Sequence, residues 1–125
     1  MAKSALIVED VHETRLFMKH LLEELGVEKI DTAGNGSVAA NLLEANKYDL
    51  VLLDLELPDI NGKELLDKYK VDHPEMSVII CSSHNSVDNV RDTWDLGANG
   101  FLAKPVELDK LQNLINRIRR PQNSQ

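Results

Sequence analysis

Short apolar runs alternate along this chain with longer segments whose apolar residues recur every three or four positions. Ala5-Leu6-Ile7-Val8 is a continuous apolar run and reads as a buried strand. From Val11 to Leu25, the residues Leu16, Phe17, Leu21, Leu22 and Leu25 fall at helical spacing, and Gly26 stops the pattern. Lys29 to Ala33 reads as a short second strand. A Gly34-Asn35-Gly36 turn follows, then a helix carrying Val38, Leu42 and Leu43, with Ser37 as its expected N-cap. Leu50-Val51-Leu52-Leu53 is the most apolar strand, and it ends in Asp54. Pro58 and Gly62 bracket a loop, a helix runs from Lys63 to Tyr69, and Pro74 closes that segment. Ser77 to Cys81 is a fourth strand, Val87 to Leu96 a helix stopped by Gly97, Gly100 to Ala103 a fifth strand, and Glu107 to Arg120 a last helix. The polar tail, 121–125, reads as disordered.

The pattern is five strand–helix units in succession, with no internal boundary, so residues 1–120 are expected to form one domain. Strands that are apolar throughout are buried on both faces, which implies a parallel sheet covered by helices, an α/β class. Right-handed crossovers then bring the C-terminal ends of all strands to one edge, where ligands of open α/β sheets bind.

Composition narrows the picture. No run of about 18 apolar residues exists, so no membrane span is expected, and the N-terminus is too brief and too lightly charged for a signal peptide. The net charge of −7 disfavours direct nucleic-acid binding, which needs clustered cations. The one basic cluster, Arg117, Arg119 and Arg120, reads as a favourable end to the last helix. The single cysteine, Cys81, lies in an apolar strand and reads as a buried thiol in a reducing, cytoplasmic compartment.

Each strand end carries something polar. Glu9 and Asp10 follow the first strand, Asp54 the third, Ser82 and Ser83 the fourth, Lys104 and Pro105 the fifth. Taken singly, each has an ordinary reading: a helix-start pair of acids, a loop aspartate, a turn serine, a surface lysine. If the first and third strands are neighbours, three carboxylates meet, and their repulsion is relieved by a hard divalent cation with oxygen ligands, which points to Mg²⁺. Such a site suits attack of a carboxylate oxygen on phosphorus to give an acyl phosphate, with the lysine and the metal neutralising the transferring oxygens. Asp54 is the expected nucleophile, and Glu9 and Asp10 the expected metal-holding acids.

The motifs Val8-Glu9-Asp10, Leu52 through Gly62, Ser82-Ser83 and Gly97 through Pro105 together resemble the receiver domains of bacterial response regulators, over Ala5 to about Ile118. The resemblance implies a doubly wound, flavodoxin-like sheet in the order 2-1-3-4-5. It implies Asp54 as phosphoacceptor, Glu9, Asp10, Asp54 and the backbone carbonyl of Glu56 around Mg²⁺, and Lys104 on a phosphoryl oxygen. Ser82 and Phe101 would be the switch pair, and the Lys104–Pro105 bond would be cis. The family's usual output face covers the fourth helix, fifth strand and fifth helix. The implied partners are a sensor histidine kinase or phosphotransfer protein, a downstream protein target, and a homodimer if phosphorylation drives one. Departures from the common pattern are Glu9 in place of Asp, Ser82 without threonine's methyl, and Ser83 where alanine is frequent. Glu56 and His84 stand at positions that tune acyl-phosphate hydrolysis in the family.

Other residues carry less. His12, His20, His73 and His84 lack metal spacing, and His20 is expected to be an ordinary helix residue rather than a relay histidine; His84 belongs at the site mouth. Val87, Val90 and Trp94 are spaced by three and four. A core-facing stripe is expected for the two valines, whereas Trp94 fits a core position and an exposed partner contact equally. Two competing readings share the site: a pseudo-receiver that only binds, and a turnover phosphohydrolase, for which the chain leaves little room to build a substrate pocket. No effector segment follows, so output by protein–protein contact is expected unless the chain is part of a longer protein.

Overall fold

Burial on both faces is what the leucine-, isoleucine- and valine-rich runs obtain by pairing side by side. In the computed structural model, which describes residues 3–119, β1 (Ser4–Val8), β2 (Lys29–Ala33), β3 (Leu50–Leu53), β4 (Ser77–Ser82) and β5 (Gly100–Ala103) alternate with α1 (His12–Glu24), α2 (Gly36–Ala45), α3 (Gly62–Asp72), α4 (Val87–Asp95) and α5 (Leu108–Arg119). All pairings are parallel, and the order is β2-β1-β3-β4-β5, the doubly wound sheet that was expected. The chain order reverses between β1 and β3, which is the switch point where such sheets open a crevice.

Side chains alternate across the sheet and divide the interior in two. Ala5, Ile7, Leu50, Leu52, Ile79 and Cys81 face α1 and α5, where Met18, Leu22, Leu111 and Ile115 meet them. Leu6, Val8, Val51, Leu53, Val78 and Ile80 face the opposite layer, against Ala39, Leu43, Leu65, Leu66 and Tyr69 of α2 and α3. Cys81 is fully buried, as its apolar setting indicated, and burial pushes its thiol up to about 12. No helix among the described residues is long and apolar enough to cross a membrane.

Several expectations need correction. The inward face of α1 is built on Met18, Leu21 and Leu22, whereas Leu16 and Phe17 are exposed. Leu16 stands two residues from Met18, about 200° around the helix, so both cannot face the sheet. Asn35, not Ser37, caps α2: its Oδ1 accepts from Val38 N at 2.8 Å. α3 begins at Gly62, behind an Asn61 cap, and runs on to Asp72. Val87 is 71% exposed and Val90 only half-buried, so the valines form no core stripe; Thr93 is the buried residue of α4, and Trp94 is exposed. Arg120 and 121–125 lie outside the described residues, as does the Arg119 side chain.

Candidate functional site

One further ladder bond beyond the paired strands places each charged residue of the sheet edge. Glu9 N donates to Ala33 O and Asp54 N to Val8 O, both at 3.0 Å, and Lys104 N donates to Ser82 O at 3.1 Å. These residues inherit the rigidity of β1, β3 and β5. Parallel register then makes them neighbours: Val8 pairs with Leu53, so the next residues, Glu9 and Asp54, lie side by side.

Carboxylate oxygens of Glu9, Asp10 and Asp54, one from each, all lie within 4.8 Å of one another. Glu9 is fully buried, Asp54 is 3% exposed and Asp10 is open to solvent. The Lys104 ammonium sits 2.5 Å from Glu9 Oε1 and 3.3 Å from Asp54 Oδ2. The shorter contact engages the buried Glu9 Oε1, and Glu9 Oε2 accepts from Val11 N at 3.0 Å. Three carboxylates against one ammonium leave an excess of negative charge. The excess charge and the all-oxygen donor set together fit a hard divalent cation.

Burial raises the Asp54 carboxyl above the ordinary carboxylate range, against the Glu56 N–H and the Lys104 charge, which lower it. The Glu56 N–H donates to Asp54 Oδ1 at 3.2 Å. At Lys104 burial works to lower the ammonium, but the Glu9 and Asp54 carboxylates outweigh it and the net shift is upward. Lys104 therefore stays charged, and the carboxylates it faces are poised around it.

The remaining expected residues surround this pocket. Ser82 is fully buried at the end of β4, and its Oγ accepts from His84 N at 2.9 Å. Ser83 is exposed, and the exposed His84 pairs through Nδ1 with the Glu56 carboxylate. Phe101 is half-buried on edge strand β5 and packs against the α2–α3 side of the core. The Lys104–Pro105 peptide bond is cis. Trp94 belongs elsewhere: with Asn85, Val87, Val90 and Arg91 it lines an open groove of about 410 Å³ along α4. His20 is a surface residue of α1 beside Glu23 and Glu24.

Three supporting residues escaped the sequence reading. Arg15 Nη1 donates to the Glu9 carbonyl at 2.7 Å and holds the acidic turn in place. Asp59 bonds to Gly36 N and Ser37 N, at 2.9 and 3.0 Å, which straps the β3–α3 loop onto α2. Lys63 bonds to Asn89 and Asp92 of α4. The latter two have partners more than twenty residues away, and no local spacing signals them.

A model of the response regulator receiver domain matches residues 5–116 of this chain. The chain is 34% identical over 110 residues to the regulatory protein LuxO of Vibrio vulnificus, a match covering 88% of this chain and 24% of that protein. It thus spans about a quarter of that relative. It is 29% identical over 117 residues to sporulation initiation phosphotransferase F of Bacillus subtilis, covering 94% of each. Among solved structures, the signal receiver domain of a DNA-binding response regulator from Colwellia psychrerythraea matches with a TM-score of 0.86 at 30% identity, over 92% of this chain and 96% of that one.

Proposed function

Because the chain belongs to the response regulator receiver family of two-component signalling, we propose that Asp54 accepts a phosphoryl group from a sensor histidine kinase or a phosphotransfer protein and that the domain switches its output face in response. The observation that carries this is the convergence of three carboxylate oxygens within 4.8 Å beside a buried-edge ammonium. Three acids this close repel one another and only one ammonium faces them, a cost that a bound cation would offset.

In the proposed transfer an Asp54 carboxylate oxygen attacks phosphorus, the bond from phosphorus to the donor's imidazole nitrogen breaks, and the imidazole leaves with the electron pair. The product is an acyl phosphate on Asp54. Lys104, already 3.3 Å from Asp54 Oδ2, supplies positive charge to the phosphoryl oxygens. Glu9, Asp10, Asp54 and the Glu56 carbonyl would hold Mg²⁺, which when bound neutralises the charge that accumulates on those oxygens. The Ser82 hydroxyl, at the neighbouring strand end, would turn toward the new phosphoryl group, and Phe101 would fill the space this leaves. Glu56 and His84, which pair with one another, would tune the access of water that hydrolyses the acyl phosphate. The compartment proposed is the cytoplasm. The 29% identity to a sporulation initiation phosphotransferase supports a role as a relay station as well as an output switch.

The test is labelling by a small phosphodonor. Wild-type protein becomes labelled with Mg²⁺ and not with chelator, and Asp54→Ala is unlabelled under both conditions. Wild type that stays unlabelled with Mg²⁺ present removes the reading.

A further inference from the structure

Helix α4 buries fewer of its residues than α1 or α3. α1 buries Met18, Leu21 and Leu22, and α3 buries Gly62, Leu65, Leu66 and Tyr69, whereas α4 buries Thr93 alone. The Thr93 hydroxyl is spent inside the helix on Val90 O, at 2.9 Å. With so little apolar area removed from water, hydrophobic burial contributes little to fixing where this helix lies.

Polar contacts fill that role, and they converge on one cation. Lys63 Nζ, on the first turn of α3, donates to Asn89 Oδ1 at 2.9 Å and to Asp92 Oδ2 at 2.8 Å. The Asn89 amide in turn donates from Nδ2 to the His84 carbonyl at 3.1 Å, and His84 N donates to Ser82 Oγ at 2.9 Å. An unbroken chain of hydrogen bonds thus runs from the start of α3, through the first turn of α4 and the β4–α4 loop, to the buried hydroxyl at the site. At its near end Lys63 is anchored by the Asn61 cap, whose Oδ1 accepts from Lys63 N at 2.8 Å.

We propose that Lys63 is the positioning residue that sets the resting place of α4 and links it, through Asn89 and the His84 backbone, to Ser82. The anchoring stands on the unphosphorylated geometry alone, and its consequence for switching rests on the receiver reading given above. A swing of the Ser82 Oγ atom itself toward Asp54, by rotation about χ1, would lengthen the bond that it accepts from His84 N. Any displacement of His84 is transmitted to Asn89, and from there works against two charge-assisted contacts of Lys63. The lysine therefore sets how much of a change at Ser82 reaches α4, the helix that carries the exposed Trp94 and Val87.

Hydrogen exchange of the unphosphorylated protein tests the tether directly. Lys63→Met keeps the aliphatic stem and removes the charge; it should raise exchange at the α4 amides by about tenfold, as expected for losing charge-assisted bonds, while α1 and α5 keep wild-type protection. Asn89→Ala should give a similar rise, the double variant little more than either single one, and Lys63→Arg a return toward wild type. Wild-type protection of α4 in Lys63→Met, or a rise shared equally by all five helices, overturns the proposal. Failure of wild type to be labelled at Asp54 would remove the phosphoacceptor reading but leave the exchange result to decide the tether by itself.

Discussion

Lys104 rests nearer to Glu9 than to Asp54, at 2.5 against 3.3 Å. A glutamate at this position has one methylene more than an aspartate, and the added reach brings its carboxylate against the ammonium. Asp54 is left partly compensated in a buried place, and its carboxyl is raised chiefly by that burial. A raised acid has a definite linkage sign: its ionised form destabilises the fold, so stability is fullest below the unfolded value and falls as the pH rises through the folded one. Asp54→Asn removes that penalty. In chelator at neutral pH its urea midpoint should correspond to a gain of about 1 kcal/mol, in line with other functional-site relaxations, and the gain should shrink as the pH is lowered through the raised Asp54 range. Mg²⁺ at about a hundred times its dissociation constant should add about 2.7 kcal/mol to wild type and much less to Asp54→Asn. A variant no more stable than wild type in chelator would contradict this account of Asp54.

Elements are positioned by partners that local patterns do not reveal. The β3–α3 loop is closed by Gly62 N donating to Leu55 O, at 3.0 Å. A Cβ at Gly62 would lie 2.4 Å from Leu55 Cα, so only glycine permits the approach. The same loop is strapped to α2 by Asp59, whose carboxyl is held below the ordinary range, first by the Gly36 N–H, with Ser37 N–H helping. A lowered acid stabilises above its unfolded value, about 4, and the contribution is lost as the pH falls through the lower folded value. Asp59→Ala should therefore melt earlier than wild type at neutral pH, by an amount that narrows below about pH 4. Thermal scans at both acidities check this, and a difference that does not depend on pH would remove the strap. The α1 correction has the same origin. Periodicity correctly marked a helix there, but with Leu16, Phe17, Met18, Leu21 and Leu22 all apolar, only packing against β1 and α5 selected Met18 as the inward residue.

The whole molecule is two apolar layers sharing one sheet, since each central strand sends alternate residues to each side. Neither layer survives without the strands of the other, which makes a single cooperative transition the expectation for a chain of this length. Leu22→Ala, on the α1 side, and Leu66→Ala, on the α3 side, should each cost about 2–5 kcal/mol and leave one transition. Circular dichroism and the fluorescence of Trp94, the single tryptophan, should give coincident urea curves for both variants. Separate transitions for the two would show that the layers fold apart. Against this rigid frame α4 stands out for its shallow burial, which suits an element proposed to shift on switching.

Whatever one segment specifies alone was readable before folding was considered. Apolar runs with polar ends marked the five strands, because strand length follows from neighbours along the chain, and the right-handed crossover rule put Glu9, Asp10, Asp54, Ser82 and Lys104 at one edge. The family resemblance supplied the strand order that sets β1 beside β3, and folding decided the rest: that Lys104 leans toward Glu9, that Asp59 caps a helix begun 23 residues earlier and Lys63 ties down one that starts 24 residues later. Such pairings bring together groups with no common local signal. Their energies exist only after the intervening chain has closed, so no window of sequence can carry them.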